Sequence, residues 1–139
     1  MPADLKRLRR LADHVFATWN TQNVEAVLAC YTSDLSYLDP NTRGPVVGRD
    51  AMQAYLNKLY AQWTMTWKGG ELFPLESVDG CTVRWIGTLA PAGSHQTVDI
   101  AGLDLVVREG VLVRRNEVYF DRSPLAAFQP AVLAGEGRR

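Results

Sequence analysis

A chain of 139 residues in which 47% of the side chains are hydrophobic can build one sizeable core. Its 15 basic and 15 acidic residues cancel, so no net positive field favours nucleic acid or an anionic membrane, and neither is expected as a partner. No stretch reaches the roughly 20 apolar residues of a membrane-spanning helix, and residues 1–10 lack the apolar core of a signal peptide. We therefore expect a soluble, cytoplasmic protein with a single domain over 1–139, its core at about 5–128 and a tail at 129–139.

Apolar residues at helical spacing predict three helices in the first half of the chain. A first helix is predicted over about 4–20, where apolar residues recur every three or four positions. Asn23 is a suitable N-cap for a short second helix, predicted to run through Tyr31. After Asp39-Pro40 and a Pro/Gly loop, Asp50 offers a cap for a third helix. The apolar face of this helix consists of Met52, Tyr55, Leu56, Leu59 and Trp63. Three helices are thus predicted to precede the sheet.

From Thr64 onward the apolar period changes to two, which predicts an antiparallel sheet. Strands at about 96–108 and 111–121 are predicted to form a long hairpin around Glu109-Gly110. Helices followed by a twisted sheet indicate an α+β fold. The strand at 96–108 is apolar on both faces, so both faces of the sheet should be covered. We expect helices and a pocket on one face and a second copy of the chain, in a homodimer, on the other.

Acidic and phenolic side chains stand in otherwise apolar, strand-like segments. These are Asp39, Asp104, Glu117, Tyr119 and Asp121. A carboxylate buried in an apolar strand destabilises a protein unless it is paired, hydrogen-bonded or protonated. Several such groups together predict a cavity lined with reactive side chains.

The cysteines and histidines do not indicate a metal or redox site. Cys30 and Cys81 lie in apolar segments without CxxC spacing, so we interpret them as small buried hydrophobic residues. His14 and His95 are far apart and belong to no ligand motif. No metal and no cofactor are predicted.

Two strings, in this order and spacing, resemble the nuclear transport factor two superfamily. The first is Asp39-Pro40 followed by 48–52, Gly-Arg-Asp-Ala-Met, and the second is the hairpin from Gly102 to Gly110 that continues into 118–122. The resemblance covers about residues 5–128 and includes ketosteroid isomerases, SnoaL-like polyketide cyclases and limonene epoxide hydrolases. It implies a cone-shaped α+β fold in which a curved antiparallel sheet wraps over three N-terminal helices, with a deep pocket at the wide end.

The resemblance to ketosteroid isomerases implies roles for individual residues. Asp39 falls at the position of their general base, and Asp104 at that of a protonated aspartic acid that donates a hydrogen bond to the substrate oxyanion. Aligning the last hairpin with the isomerase places Glu117 and Tyr119 on the cavity face, so both are predicted as catalytic. The first-helix tyrosine of the isomerases would fall at or beside Val15, a departure that argues against steroid isomerase activity.

The limonene epoxide hydrolases are matched less well. Their mid-sheet arginine and aspartate pair corresponds to the segment around Arg84, which lacks the aspartate, and Val118 stands where they have another aspartate. Epoxide hydrolysis is therefore disfavoured, whereas nothing contradicts SnoaL-like chemistry.

The sequence therefore predicts a cofactor-free isomerase or cyclase that transfers protons on a hydrophobic carbonyl compound, with Asp39 as base and Asp104 as acid. A non-catalytic small-molecule-binding domain and a protein-interaction module with a filled cone are the alternatives. The predicted substrate-binding residues are Val15, Trp19, Tyr31, Tyr55, Leu59, Trp63, Trp85 and Val106.

Each acidic residue also has a structural interpretation. Asp39 could hydrogen-bond the loop that follows it, and Asp104 could form a buried pair with Arg84 or Arg115. Glu117 could pair with the same arginines across strands. Asp121 could end its strand and cap the turn at 123. The sequence leaves these alternatives open.

Overall fold

The computed structural model describes residues 2–128, and the predicted tail at 129–139 lies outside them. The helical elements are α1 (Pro2–Asn20), α2 (Val24–Leu28), α3 (Arg49–Gln62) and a final 3₁₀ helix, Ser123–Phe128. The Asn23 side chain accepts a hydrogen bond from the Ala26 amide at 3.0 Å, which fixes the start of α2 as predicted. The N-cap of α3 is Gly48, with a positive φ of 86°, and not Asp50. Within residues 2–128, no helix is both long and apolar enough to cross a membrane.

Within residues 2–128, six strands form one curved sheet. They are β1 (Tyr31–Leu38), β2 (Val46–Val47), β3 (Trp63–Pro74), β4 (Gly80–Pro91), β5 (Val98–Glu109) and β6 (Leu112–Phe120). Their order across the sheet is β2-β1-β6-β5-β4-β3. The α+β cone predicted from the sequence is confirmed. The sheet is mixed, however, because β1 runs parallel to β6 while the remaining neighbours are antiparallel.

The second helix is shorter than predicted. It ends at Leu28, and Tyr31 begins β1. The first strand of the sheet therefore precedes α3, whereas the sequence predicted that all three helices would precede the sheet. The backbone amide of Val113 on β6 donates to the Cys30 carbonyl at 2.8 Å, which ties this segment to the sheet. Pairing with β6 therefore overrides the helical spacing that continues through Tyr31.

Side-chain amides protect the free edge of β3 where it runs beside the end of α1. Asn20 donates to the Trp67 carbonyl at 3.0 Å and accepts from the Trp67 amide at 2.6 Å. Gln22 does the same with the Trp63 carbonyl and the Met65 amide, at 3.1 Å and 2.6 Å. These bonds satisfy backbone groups that an edge strand otherwise leaves unpaired, and they hold the tryptophans of β3 over the inner face of the sheet.

The β5–β6 hairpin contains a one-residue bulge. Glu109 and Arg108 pair with Leu112 and Val113, but Val107 pairs with Arg115, so one residue of β6 has no partner. Side chains alternate between the two faces along a strand. After this extra residue, each later side chain of β6 therefore lies on the face opposite to the one that uninterrupted alternation would give. It decides which side chains of β6 face the interior.

The inner face of the sheet packs against the helices to form the core. Its side chains include Met65, Val83, Trp85 and Ile100, which lie against apolar residues of α1 and α3. Cys81 on this face and Cys30 are both buried, as the sequence predicted. The opposite face, called the outer face below, exposes alternate residues of β4, β5 and β6: Arg84, Ile86, Leu103, Arg115 and Tyr119.

Candidate functional site

A cavity opens between the inner face of the sheet, α1, α3 and the final 3₁₀ helix. Its volume is about 50 Å³, which is room for a few water molecules. The lining side chains are mostly aromatic or aliphatic, with four polar residues among them. They are Val15, Phe16, Trp19, Tyr37, Asp39, Asn41, Leu59, Trp63, Met65, Trp67, Trp85, Leu89, Asp104, Asn116, Val118, Phe120 and Leu125. The aromatic walls thus leave a narrow slot, and a ligand larger than a few waters must move them apart.

Asp104 lies at the wall of this slot, in the middle of β5, with 8% of its surface exposed. Its Oδ1 accepts a hydrogen bond from Trp85 Nε1 at 2.7 Å, and its Oδ2 accepts one from Asn116 Nδ2 at 3.1 Å. Burial raises the pKa of Asp104 to about 7, although the bonds from Asn116 and Trp85 act in the opposite direction. The charge of Asp39 contributes a smaller increase. A substantial fraction of Asp104 is therefore protonated at neutral pH.

A chain of hydrogen bonds beneath the slot orients the amide of Asn116. Trp19 Nε1 donates to the Tyr31 hydroxyl at 3.0 Å, and this hydroxyl donates to Asn116 Oδ1 at 2.9 Å. Because the Asn116 oxygen is thereby engaged, its NH₂ group points towards Asp104 and the Leu105 carbonyl. Every member of the chain is buried, so each bond also removes the cost of an unpaired polar atom.

Gly102 makes room for the Trp85 indole that reaches Asp104. Gly102 on β5 pairs directly with Trp85 on β4. A Cβ at position 102 would lie 2.1 Å from Cζ2 of the indole, which is an impossible contact. The absent side chain lets the ring lie across β5, with its N–H directed at the carboxyl group two residues along that strand.

Asp39 lies at the end of β1 and also borders the cavity, with 7% exposure. Its Oδ2 accepts hydrogen bonds from the Tyr37 hydroxyl at 2.8 Å and from the Tyr55 hydroxyl, while its Oδ1 accepts one from the Asn41 amide at 2.7 Å. Burial, followed by the charge of Asp39, raises the pKa of Tyr37 and Tyr55, so both phenols remain protonated donors. The bond to Asn41 is the loop contact considered for Asp39 in the sequence, and Asp39 combines it with a position in the cavity wall.

The structure brings together most of the predicted substrate-binding residues. The predicted residues that line the cavity are Val15, Trp19, Leu59, Trp63 and Trp85. Three others lie outside its lining. Tyr31 is buried beneath the slot and acts through Asn116, Tyr55 bonds Asp39 from a neighbouring groove, and Val106 belongs to the core.

The placement of Glu117 and Tyr119 on the cavity face was wrong. The bulge in β6 pairs Asp104 with Val118, so Asn116, Val118 and Phe120 face the cavity. Glu117 is on the outer face, where it accepts hydrogen bonds from the Tyr119 hydroxyl and from Arg115, the latter at 2.6 Å. The bonds from Tyr119 and then Arg115 lower the pKa of Glu117.

The arginines considered as partners of Asp104 also lie on the outer face. Arg84 pairs with Glu71 at 3.8 Å, and Arg115 pairs with Glu117. Asp104 therefore has no cation beside it within residues 2–128. Asp121 accepts hydrogen bonds from the amide and hydroxyl of Ser123, which is the capping contact predicted from the sequence.

Sequence reasoning missed three polar contributors to the site. Tyr37 could have been found from the alternation of Leu35, Tyr37 and Asp39 along β1, all of which are buried. Asn116 carried no usable signal, because its facing depends on the bulge. Trp67 lines the cavity with an indole N–H that is buried and has no acceptor within residues 2–128. In the same part of the chain, no three His, Cys, Asp or Glu side chains converge as a metal site would require.

The chain belongs to the SnoaL-like domain family, whose model matches residues 12–115. This match covers α1 from its middle, most of the sheet and the cavity lining up to Asp104. No curated protein matches the chain at a significant level.

Solved structures share the fold at low sequence identity. A proposed polyketide cyclase from Xanthomonas campestris pv. campestris is 15% identical with a TM-score of 0.73, over 89% of this chain and 97% of the other. A second structure is that of SalBIII, an epoxide hydrolase/cyclase-like enzyme with a role in pyran ring formation in the polyether salinomycin. It is 19% identical to this chain, with a TM-score of 0.74, and the match covers 89% of this chain and 97% of SalBIII. A third structure is a protein of ketosteroid isomerase-like fold from Catenulispora acidiphila in complex with trimethylamine. It is 15% identical to this chain, with a TM-score of 0.73, and the match covers 84% of this chain and 89% of the other. At these identities the likeness establishes the fold alone.

Proposed function

We propose that the protein is a cofactor-free isomerase or cyclase that transfers protons on a hydrophobic carbonyl compound bound in the cavity. One observation carries this proposal: an apolar slot is bordered both by a carboxyl group without a cation, Asp104, and by a hydrogen-bonded carboxylate, Asp39. A carboxyl group whose pKa is raised to about 7 can act as an acid beside a second carboxyl group that acts as the base.

Asp104 is the proposed acid. Its two oxygens accept hydrogen bonds from Trp85 and Asn116, and neither partner can accept a proton in return. When Asp104 is protonated, neither of these two groups can accept a hydrogen bond from its O–H. A substrate carbonyl in the slot would supply an acceptor, and the bond would strengthen as negative charge develops on the carbonyl oxygen.

Asp39 is the proposed base. A carboxylate has about four acceptor positions, and Asp39 uses two on Oδ2 and one on Oδ1. The remaining position on Oδ1 would take the proton from the carbon next to the substrate carbonyl, while Asp104 stabilises or protonates the enolate oxygen. Returning the proton to another carbon completes an isomerisation. Attack of the enolate carbon on a second carbonyl of the same molecule would instead close a ring.

The proposed reaction is tested by solvent deuterium exchange next to the carbonyl, followed by mass spectrometry across a panel of cyclic and aromatic ketones. Asp39→Asn and Asp104→Asn should each reduce exchange by at least about one hundred-fold. Asp99→Asn is the matched control, because Asp99 is an exposed aspartate on β5, the strand that carries Asp104. Exchange that is equal in all four proteins would contradict the proposal.

A non-catalytic small-molecule-binding domain is the second candidate. The narrowness of the slot and the complete hydrogen bonding of Asp39 Oδ2 favour it, since both suit a site that holds a ligand without turnover. A ligand that co-purifies with the protein and keeps its mass and deuterium content after incubation would support this candidate over the enzyme.

The proposal includes a homodimer formed through the outer face of the sheet. Ile86, Leu103 and Tyr119 expose 47%, 37% and 51% of their surface there, and Leu103 and Tyr119 are cross-strand neighbours. A second copy would cover this apolar patch. Leu103→Glu should convert a dimer into a monomer in sedimentation equilibrium. A monomeric wild-type protein at tens of micromolar would count against this assembly.

A further inference from the structure

A second concave region, called the cationic groove below, adjoins the mouth of the cavity. It is formed by the loop at 40–46, the side of α3 and Arg122. Asn41, Leu59 and Trp63 line both the groove and the cavity, so the two spaces are adjacent and share these side chains as walls. A molecule that moves these shared side chains apart would extend from the slot into the groove.

The charged side chains that line the groove all have the same sign. They are Arg43, Lys58 and Arg122, and among residues 2–128 no carboxylate lines the groove. The whole chain has equal numbers of acidic and basic residues, so general basicity does not explain this cluster. Within residues 2–128, none of the three forms an ion pair, whereas Arg84 and Arg108 each do. The groove therefore presents uncompensated positive charge at the entrance of the cavity.

We infer that the substrate is amphipathic: an apolar body that bears the carbonyl enters the cavity, and an anionic group, a carboxylate or a phosphate, lies in the cationic groove. This inference rests on the proposed function and adds the substrate class. It also determines the orientation of the bound ligand, with the anionic end in the groove and the apolar end in the cavity. The described lining of the cavity is mostly apolar and contains no basic residue, whereas the groove is lined by three cations, so the anionic group lies in the groove.

The expected gain in affinity is moderate and depends on salt. The three cations are exposed to solvent, where an ion pair contributes only a small free energy. Together they should favour an anionic ligand over a neutral one by roughly tenfold at low ionic strength. Because salt screens exposed charges, most of this preference should disappear in about 0.5 M salt.

Two matched pairs of ligands test the inference. The first pair is 4-(2-naphthyl)-4-oxobutanoate and its methyl ester, and the second is 2-naphthyl phosphate and 2-naphthol. Dissociation constants are measured by titration calorimetry or tryptophan quenching. If the acid in the first pair binds more tightly than its ester, the groove recognises a carboxylate. If the naphthyl phosphate binds more tightly than naphthol, the groove recognises a phosphate. Equal affinities within both pairs, or no binding of either anion, would overturn the inference.

Charge-matched variants locate the effect. The triple variant Arg43→Gln, Lys58→Gln, Arg122→Gln should abolish the preference for the anion and leave the affinity for the neutral partner within about twofold. A control removes three exposed cations elsewhere: Lys6→Gln, Lys68→Gln, Arg114→Gln. The control should retain the preference. Loss of the preference in both variants would assign it to net charge and reject the groove.

The inference and the proposed function fail in different ways. Anion preference is a binding measurement and does not require turnover. If the oxobutanoate binds through the groove without deuterium exchange next to its ketone, the binding site stands and the enzymatic proposal fails for this class. If exchange proceeds equally well with acid and ester, the enzyme stands and the groove has no role in recognition.

Discussion

Two carboxyl groups on neighbouring strands of the same sheet have opposite surroundings. Asp104 faces inward with no cation beside it in the described part of the chain, and burial raises its pKa to about 7. Glu117 faces outward beside Arg115 and Tyr119, whose hydrogen bonds lower its pKa. Both residues stand beside apolar strand residues, and they lie on opposite faces of the sheet. The comparison shows that a carboxylate in an apolar strand indicates a reactive group only after the register of the strand is known.

The largest expected effect is on activity and separates the two faces. Asp104→Asn should reduce deuterium exchange by between about one hundred- and ten-thousand-fold, because the O–H directed at the substrate carbonyl is lost. Glu117→Gln should change it by less than about twofold, since Glu117 does not touch the cavity. The measurement is the exchange rate on the best ketone of the panel. A comparable loss in both variants would break the distinction between the faces.

The second prediction is that the two groups affect stability with opposite dependence on pH. The unfolded chain releases the Asp104 proton near pH 3.8 and the folded chain near pH 7, so Asp104 lowers stability as pH rises through this interval. Between about pH 4 and pH 8, the unfolding free energy of wild type should fall by roughly 2–4 kcal/mol relative to Asp104→Asn.

The contribution of Glu117 to the unfolding free energy should depend on pH in the opposite direction and should be smaller. Glu117 stabilises the folded chain above pH 4.5, the ordinary pKa of a glutamate. This contribution is lost as the pH falls through the lowered pKa that Glu117 has in the folded chain. Near the surface this contribution should stay below about 1 kcal/mol. Urea titrations of wild type, Asp104→Asn and Glu117→Gln at several pH values measure both effects. Parallel curves for wild type and Asp104→Asn would show that Asp104 titrates normally.

Gly102→Ala should disturb the inner face through Trp85. The added Cβ would collide with the indole, so we expect a loss of about 3 kcal/mol in the free energy of unfolding. Because the Trp85 bond lowers the pKa of Asp104, displacing the indole should also move the pH midpoint of activity upward. Gly110→Ala is the control: its φ of 64° disfavours alanine by about 1 kcal/mol, but nothing lies within 4 Å. An unchanged midpoint in Gly102→Ala would show that Trp85 does not tune Asp104.

The smallest effect concerns two tyrosine hydroxyls. Tyr31→Phe should reduce the free energy of unfolding by about 1–2 kcal/mol, because Trp19 Nε1 and Asn116 Oδ1 lose their partner in a buried environment. Tyr119→Phe removes an exposed hydroxyl from the outer face and should change stability by less than about 0.5 kcal/mol. Equal values in chemical denaturation would indicate that the chain from Trp19 to Asn116 does not orient the site.

Local pattern was sufficient for the fold class, the first helix and the burial of two acidic residues. Helical spacing in α1 and period-two alternation in β4 and β5 are properties of neighbouring residues, so they can be read directly from the sequence. The apolar residues around Asp104 likewise predicted its burial, and Asp104 is buried in the structure.

Long-range pairing decided the rest. A parallel partner on β6 turned the segment from Tyr31 into a strand, and a single unpaired residue in β6 directed Asn116 inward and Glu117 outward. Neither event has a local signature, because strand register depends on residues distant in sequence and a bulge reverses every later side chain. The sequence by itself determined which residues are apolar enough to form the cone. The tertiary structure alone decided which carboxyl groups face its interior, since facing is a property of paired strands and not of single ones.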